Sequence, residues 1–302
     1  ELDKKARDEK PFLVALIQGN IRQDIKWEPP FQEETVKIYS ALTRQAKSEP
    51  PDLIIWPETA APFFFQNALP FQDRILDLSR EMDAPILLGA PAFDRDGPRV
   101  NYFNSAFLVS PEKKILGRYD KIYLVPFGEY APLAGVLGFT RDIIGAIGDF
   151  TPGAEVRTLT LPRGKFGVLI CYEVIFPELT RRFVDRGAQF LVNITNDAWF
   201  GRTSAPYQHL SMATLRAVEN HVPIARAANT GISALIDSRG RVVRSTDLFT
   251  REVLSGRMMI DESRTFYTKF GDVFAYLCAG FSVLFLILIR RKGHNRVERS
   301  TR

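Results

Sequence analysis

The 302-residue chain is 45% hydrophobic and 25% charged, with 20 Gly and 19 Pro, an ordinary globular composition. It excludes a disordered chain, a collagen-like repeat and a small disulfide scaffold, and a chain this long buries most of its apolar surface without metals or crosslinks. The formal net charge of +5 is no nucleic-acid footprint. Taking the six Arg and Lys and the single Glu of residues 290–302 from 40 basic and 35 acidic residues leaves 34 of each.

In chain order, the polar ELDKKARDEK (1–10) precedes a series of short apolar runs alternating with helical patterns. Residues 11–19, 51–58, 84–91, 164–173 and 188–197 read as buried strands. The periodicity of 35–48, with Val36, Tyr39, Leu42 and Ala46 on one face, predicts a helix, as do 69–83, 177–188 and 208–221. Residues 101–121 read as a hairpin turning at Ser-Pro, and a second pair, 222–230 and 231–243, ends in a turn at Ser-Arg-Gly. Strands alternating with helices, with hairpins added, predict an α/β fold built on mixed sheet with helices packed against it. The stretch 122–155 is long, Gly-rich and apolar; loops of that length in compact domains are usually functional, here as a lid, a substrate-binding wall or a lipid-touching surface.

From Val273 to Ile289 the chain carries no charge for 17 residues and then ends in RRKGHNR. That pattern predicts a membrane span with a cytoplasmic basic tail. The competing reading is a buried core helix, which seldom ends in three consecutive cations. The body then lies across the membrane, in a periplasm-like compartment. Since residues 1–10 do not resemble a leader, the expectation is a piece of a longer protein whose upstream spans deliver it. Cys278 falls inside the span and Cys171 in the body, so the two do not pair. The bland reading of Cys171 is a small buried hydrophobe.

Three chemically capable residues sit at equivalent places. Glu58 ends LIIWPE, Lys121 ends the second hairpin strand, and Cys171 ends FGVLIC. Ligands and catalysts of α/β folds gather outside strand carboxyl ends. A cysteine nucleophile needs a base to form its thiolate, which Glu58 supplies if burial raises it, and Lys121 suits an oxyanion. By residue type alone, a structural ion pair or a solvated surface explains Glu58 and Lys121 as well. No His fits a Cys–His dyad: His209 and His221 lie on a helical stretch and His294 in the tail. Three scattered His and two separated Cys give no metal-ligand spacing, so no cofactor is expected, and GAIGDF (145–150) lacks the context of a nucleotide loop. The tail suits anionic lipid better than nucleic acid.

WPE (56–58), DK (120–121), LVPFGEY (124–130) and CYE (171–173) together resemble the Glu-Lys-Cys signature of the nitrilase, or carbon–nitrogen hydrolase, superfamily, over roughly residues 11–260. The resemblance implies a nitrilase-like αββα sandwich, with Glu58 as general base, Lys121 as oxyanion stabiliser, Cys171 as nucleophile and Glu129 as the second glutamate. Within the superfamily, GNIRQDIKW (19–27), residues 193–237 and the C-terminal span are similar to the apolipoprotein N-acyltransferase family. That implies acyl transfer from a phospholipid, through a Cys171 thioester, to the N-terminal amine of diacylglyceryl-cysteine in lipoproteins, at the bacterial inner membrane with the catalytic domain periplasmic. It also implies substrate contacts at Trp27, Tyr172, Glu173 and Trp199, although Trp27 and Trp199 taken singly read as core or interface aromatics. The division is then a linker (1–10), a catalytic domain (11–262), a transmembrane helix (270–290) and a cytoplasmic tail (291–302). Residues 122–150 become a membrane-surface flap, with Leu133, Val136, Leu137, Phe139, Ile143 and Ile144 lining an acyl slot. Two rivals stay open: a membrane-tethered amidase using the same three residues, and a non-enzymatic nitrilase-like scaffold that binds lipid or a partner.

Overall fold

The computed structural model describes residues 11–23, 27–130, 150–260 and 263–300. Their strands form two six-stranded sheets. The first holds β1 (Phe12–Gln18), β2 (Leu53–Ile55), β3 (Ile86–Asp96), β4 (Arg99–Val109), β5 (Ile115–Asp120) and, at the opposite edge, β12 (Glu252–Met258), in the order β12-β1-β2-β3-β4-β5. The second, ordered β11-β10-β9-β8-β7-β6, holds β6 (Leu159–Leu161), β7 (Gly164–Ile170), β8 (Phe190–Thr195), β9 (Ile224–Ala228), β10 (Ala234–Ile236) and β11 (Val242–Ser245). The inner strands β1-β2-β3 and β7-β8-β9 run parallel, and the remaining pairs are antiparallel.

Side-chain alternation sets the layers. In β1, Phe12, Val14 and Leu16 pack with Phe166, Val168 and Ile170 of β7 between the sheets. Ala15 and Ile17 point the other way, onto helices α1 (Pro29–Gln45) and α2 (Leu69–Met82), through Val36, Tyr39, Leu42, Ile75 and Leu78. Helices α3 (Pro177–Asp185) and α4 (Ala205–Asn220) cover the far face of the second sheet with Leu179, Phe183, Ala213 and Ala217. The result is an αββα sandwich whose inner strands are buried on both faces, which is why they read as unbroken apolar runs.

The structure departs from the sequence reading in several elements, among them α1, β3 and β12. Helix α1 starts at Pro29, six residues before the periodic segment, with prolines in its first turn, where the missing N–H costs nothing. Strand β3 continues to Asp96 and pairs with β4 along eleven residues, turning at Gly97 with φ +58°. Strand β12 pairs with β1 in full register although only Leu254 and Met258 are buried in it.

Past β12, Thr265 caps the short α5 (Phe266–Phe270) by accepting from the Thr268 N–H at 2.9 Å, and donates to the Glu219 carbonyl at 2.6 Å. Thr268 donates to Asn220, and its carbonyl accepts from Arg181 at 3.1 Å. This joint fastens the sandwich to α6 (Val273–Ser300). The window Val273–Arg290 has mean hydropathy 2.2 and none of it is buried. The helix is long and apolar enough to cross a membrane, and its full exposure disfavours the core-helix reading.

Candidate active site

Glu58 lies three residues beyond β2 on a loop pinned to β3, where the Gly89 N–H donates to the Pro57 carbonyl and the Ala61 N–H to the Gly89 carbonyl. The approach is so close that a Cβ on Gly89 would stand 2.6 Å from Glu58 Cα. The carboxylate is buried and held at both ends: Oε1 accepts from Asn104 Nδ2 at 2.8 Å and Oε2 from the Asn196 backbone N–H at 2.9 Å.

Lys121 directly follows β5 and is 1% exposed. Its backbone N–H donates to the Asn104 carbonyl, and its Nζ stands 2.8 Å from Glu129 Oε2 and 3.7 Å from Glu58 Oε1. Glu129 also accepts from Asn104 Nδ2 at 2.6 Å and from the Val125 N–H at 2.8 Å. Burial works against the Lys121 charge, but Glu58 and Glu129 outweigh it and hold the ammonium above the usual lysine range.

Cys171 opens a 3-10 turn (Cys171–Ile175) immediately after β7, with φ +52°, a left-handed conformation that costs a non-glycine residue about 1–2 kcal/mol. The side chain is half-buried. Burial pushes the thiol up to about 12, Glu58 adds to the rise, and Lys121 opposes it, with the Thr195 hydroxyl in hydrogen-bonding reach. Asn104 thus joins Glu58 to the Glu129–Lys121 pair in one hydrogen-bonded cluster, and Cys171 lies within the electrostatic field of Glu58 and Lys121.

The four residues expected around the substrate divide. Tyr172 is half-buried and meets Phe176 edge-on, while Phe176 stacks on Tyr123. Trp199 is 77% exposed in the turn Asp197–Phe200 that follows β8. Trp27 is half-buried at the entrance to α1; just upstream, Gln23 accepts from Asn196, whose N–H holds Glu58. Glu173 faces inward instead: fully buried, it accepts from Tyr119 OH and from the Ile122, Tyr123 and Ile170 N–H groups. It ties the Lys121 segment to the Cys171 turn, leaving no surface for a ligand. Burial raises its carboxyl to about 7, against the Ile170 N–H and the Lys121 charge. The acyl slot expected at Leu133, Val136, Leu137, Phe139, Ile143 and Ile144 falls outside the described residues.

Asn104, Asp197 and Arg226 here are absent from the sequence reading, and His209 enters it only as a poor fit to a Cys–His dyad. Asn104 bridges the two glutamates. Behind the Cys171 turn, Arg226 is fully buried and donates to Asn193 Oδ1, to Asp197 Oδ2 at 2.7 Å and to the Ile232 carbonyl. Burial acts to raise Asp197, but Arg226 and His209 outweigh it and hold the carboxyl down at about 2. His209 Nδ1 lies 3.0 Å from Asp197 Oδ1, and Nε2 lies 3.2 Å from the Cys171 carbonyl. Among the described residues no group of three or more His, Cys, Asp and Glu side chains is placed to hold a metal ion.

An αββα sandwich with a glutamate, a lysine and a cysteine gathered beyond its strand ends defines a class, and the carbon-nitrogen hydrolase family model matches residues 13–266: the chain belongs to that family. More narrowly, it is similar to the apolipoprotein N-acyltransferase of Geobacter metallireducens, 55% identical over 94% of this chain and 55% of the relative. The apolipoprotein N-acyltransferase of Methylococcus capsulatus is 42% identical over 89% and 53%. The chain therefore spans about half the length of the curated relatives it matches. Among solved structures, an amidase from Nesterenkonia sp. shares the fold with TM-score 0.64 at 21% identity, over 89% of this chain and 96% of the amidase. A Saccharomyces cerevisiae nitrilase-superfamily member does so with TM-score 0.64 at 19% identity, over 84% and 92%.

Proposed function

We propose that this chain carries the catalytic domain of a lipoprotein N-acyltransferase. It moves a fatty-acyl chain from a phospholipid to the N-terminal amine of diacylglyceryl-cysteine. The observation that carries the reading is the buried Glu58–Lys121–Glu129 cluster beside a left-handed Cys171, in a domain fastened to an exposed apolar helix. The similarity to apolipoprotein N-acyltransferases supports this choice of substrates.

The chemistry follows from the electrostatics. A thiol pushed up to about 12 rests protonated, so the thiolate forms only as a base removes its proton. Glu58 takes that proton as Sγ attacks the acyl ester carbonyl. Lys121, held cationic by its glutamates, stabilises the oxyanion, a contribution of about 3 kcal/mol for one donor. Glu58 then returns the proton to the departing lysophospholipid hydroxyl, leaving a Cys171 thioester. In the second half the lipoprotein amine attacks the thioester and gives up a proton to Glu58, which passes it to the leaving thiolate. Glu129 takes no proton in this scheme; with Asn104 it fixes the Lys121 ammonium.

In this reading α6 spans the bacterial inner membrane with its basic end cytoplasmic, and the sandwich lies on the periplasmic side. The test supplies the chain in detergent with phosphatidylethanolamine and a diacylglyceryl-cysteine peptide. The expected products are an N-acylated peptide and one lysophospholipid per peptide modified. Hydrolysis of small amides with no N-acylated peptide overturns the reading in favour of an amidase.

A further inference from the structure

Helix α4 grips both ends of the nucleophile turn. Its His209 places Nε2 3.2 Å from the carbonyl of Cys171, the first residue of the turn, and two helical turns later Arg216 donates Nη1 to the carbonyl of Ile175, the last, also at 3.2 Å. The His209 ring is itself held. Asp197 Oδ1 and Arg226 Nη2 stand 3.0 and 3.1 Å from Nδ1, the Phe200 ring packs edge-on against the imidazole, and Asp197 is fixed by Arg226 and by the Thr195 hydroxyl at 3.0 Å. Asp197 also packs directly on Gly231, where a Cβ would lie 2.3 Å from its Oδ2, so only a glycine leaves room for the carboxylate here.

The Cys171 carbonyl can only accept, so Nε2 makes a favourable contact only as a donor. Both the imidazolium and the Nε2–H tautomer supply that proton; in the former Nδ1–H donates to Asp197 Oδ1, and in the latter Nδ1 instead accepts from Arg226, which itself holds Asp197. The carbonyl gripped in this way belongs to the residue with φ +52°, a conformation that its surroundings must hold in place.

We propose that His209 is a positioning residue for the nucleophile. Its Nε2–H holds the Cys171 carbonyl so that the left-handed turn aims Sγ toward Glu58 and Lys121, and Asp197 and Arg226 hold the ring in place. The inference deepens the acyl-transfer reading and uses its thioester as one readout. His209 exchanges no proton with substrate in this scheme.

Two variants of similar polarity isolate the contact. The amide of His209→Asn falls near the Nδ1 position and does not reach the carbonyl, whereas that of His209→Gln falls near Nε2 and does. Two rates are measured in detergent alongside thermal melts. One is iodoacetamide alkylation of Cys171, resolved from Cys278 by peptide mass; the other is thioester formation from phosphatidylethanolamine across donor concentrations. For His209→Asn, both Cys171 alkylation and the saturating acylation rate fall about 100-fold with KM unchanged, the effect of a misplaced reacting atom. His209→Gln stays within about 10-fold of wild type. Wild-type rates in His209→Asn, or equal losses in both variants, overturn the proposal whatever the melting temperatures. Alkylation needs no lipid. A Gln–Asn split in alkylation with no thioester in wild type therefore sinks the acyl-transfer reading and leaves His209 in place; normal thioester formation without a split does the reverse.

Discussion

Replacing Lys121 by Met removes the one ammonium between two buried carboxylates and keeps most of its apolar stem. Nζ stands 2.8 Å from Glu129 Oε2 and 3.7 Å from Glu58 Oε1, and the side chain is 1% exposed. Without it the two carboxylates share, among the described residues, the neutral Asn104 amide alone, at 2.8 and 2.6 Å. Stripping one partner from a buried ion pair costs about 3–5 kcal/mol. At about 2–4 °C per kcal/mol for a domain of this size, the melting temperature at pH 8 falls by about 6–20 °C. The sign of the pH effect follows from the charges. In wild type the Lys121 pKa is raised, so its contribution is complete at every pH below the ordinary lysine range and is lost only as pH rises beyond it. In Lys121→Met the pair relieves its repulsion by taking up a proton, so the deficit is small near pH 5 and grows toward pH 8. The double variant Lys121→Met/Glu129→Gln removes one negative charge, recovers about half the loss and stays inactive for want of an oxyanion donor. Tryptophan-fluorescence melts in detergent between pH 5 and 8 measure all of this. A Lys121→Met protein melting within about 2 °C of wild type at pH 8, or one with the same deficit at pH 5 and pH 8, refutes the charge-balance account.

Gly89→Ala drives a methyl to 2.6 Å from Glu58 Cα, the Pro57 carbonyl and the Thr59 nitrogen, all backbone atoms that must move. It should cost about 1–3 kcal/mol of stability and lower the proposed acyl transfer about 100-fold by shifting Glu58, the proposed base; a Gly89→Ala protein with wild-type rate contradicts the placement of Glu58. Asp197, held at about 2 against an ordinary 3.8, contributes stability that is complete above about pH 4 and lost as pH falls through 2. The advantage of wild type over Asp197→Asn should therefore shrink by about 2 kcal/mol across that window in acid melts, and an advantage constant with pH argues against the Arg226–Asp197 pairing.

The strands that position the chemistry are the most legible elements, because β1, β2, β7 and β8 are covered on both faces and carry few polar interruptions. Strand β12 is illegible for the opposite reason. Glu252 and Arg257 are exposed on it, and its pairing with β1 joins residues far apart in the chain. Glu58, Lys121 and Cys171 stand out as reactive groups at strand ends, with Glu129 following from the family motif. Their partners do not. Asn104 sits inside β4 and meets Glu58 across 46 residues, and Arg226 in β9 looks like a cation stranded in an apolar strand until Asp197 is placed beside it. The helical context of His209 argues against a Cys–His dyad and hides its structural part, although its spacing to Arg216 puts both on one face of α4, the face that meets the Cys171 turn.

Acyl transfer by this route requires Cys171 to carry the acyl chain, which intact-mass spectrometry after incubation with phosphatidylethanolamine reads out. A single fatty-acyl mass is expected on the wild-type protein, mapped to Cys171, removed by neutral hydroxylamine and absent from Cys171→Ala. An acyl mass that maps to Cys278, or that persists in Cys171→Ala, contradicts it.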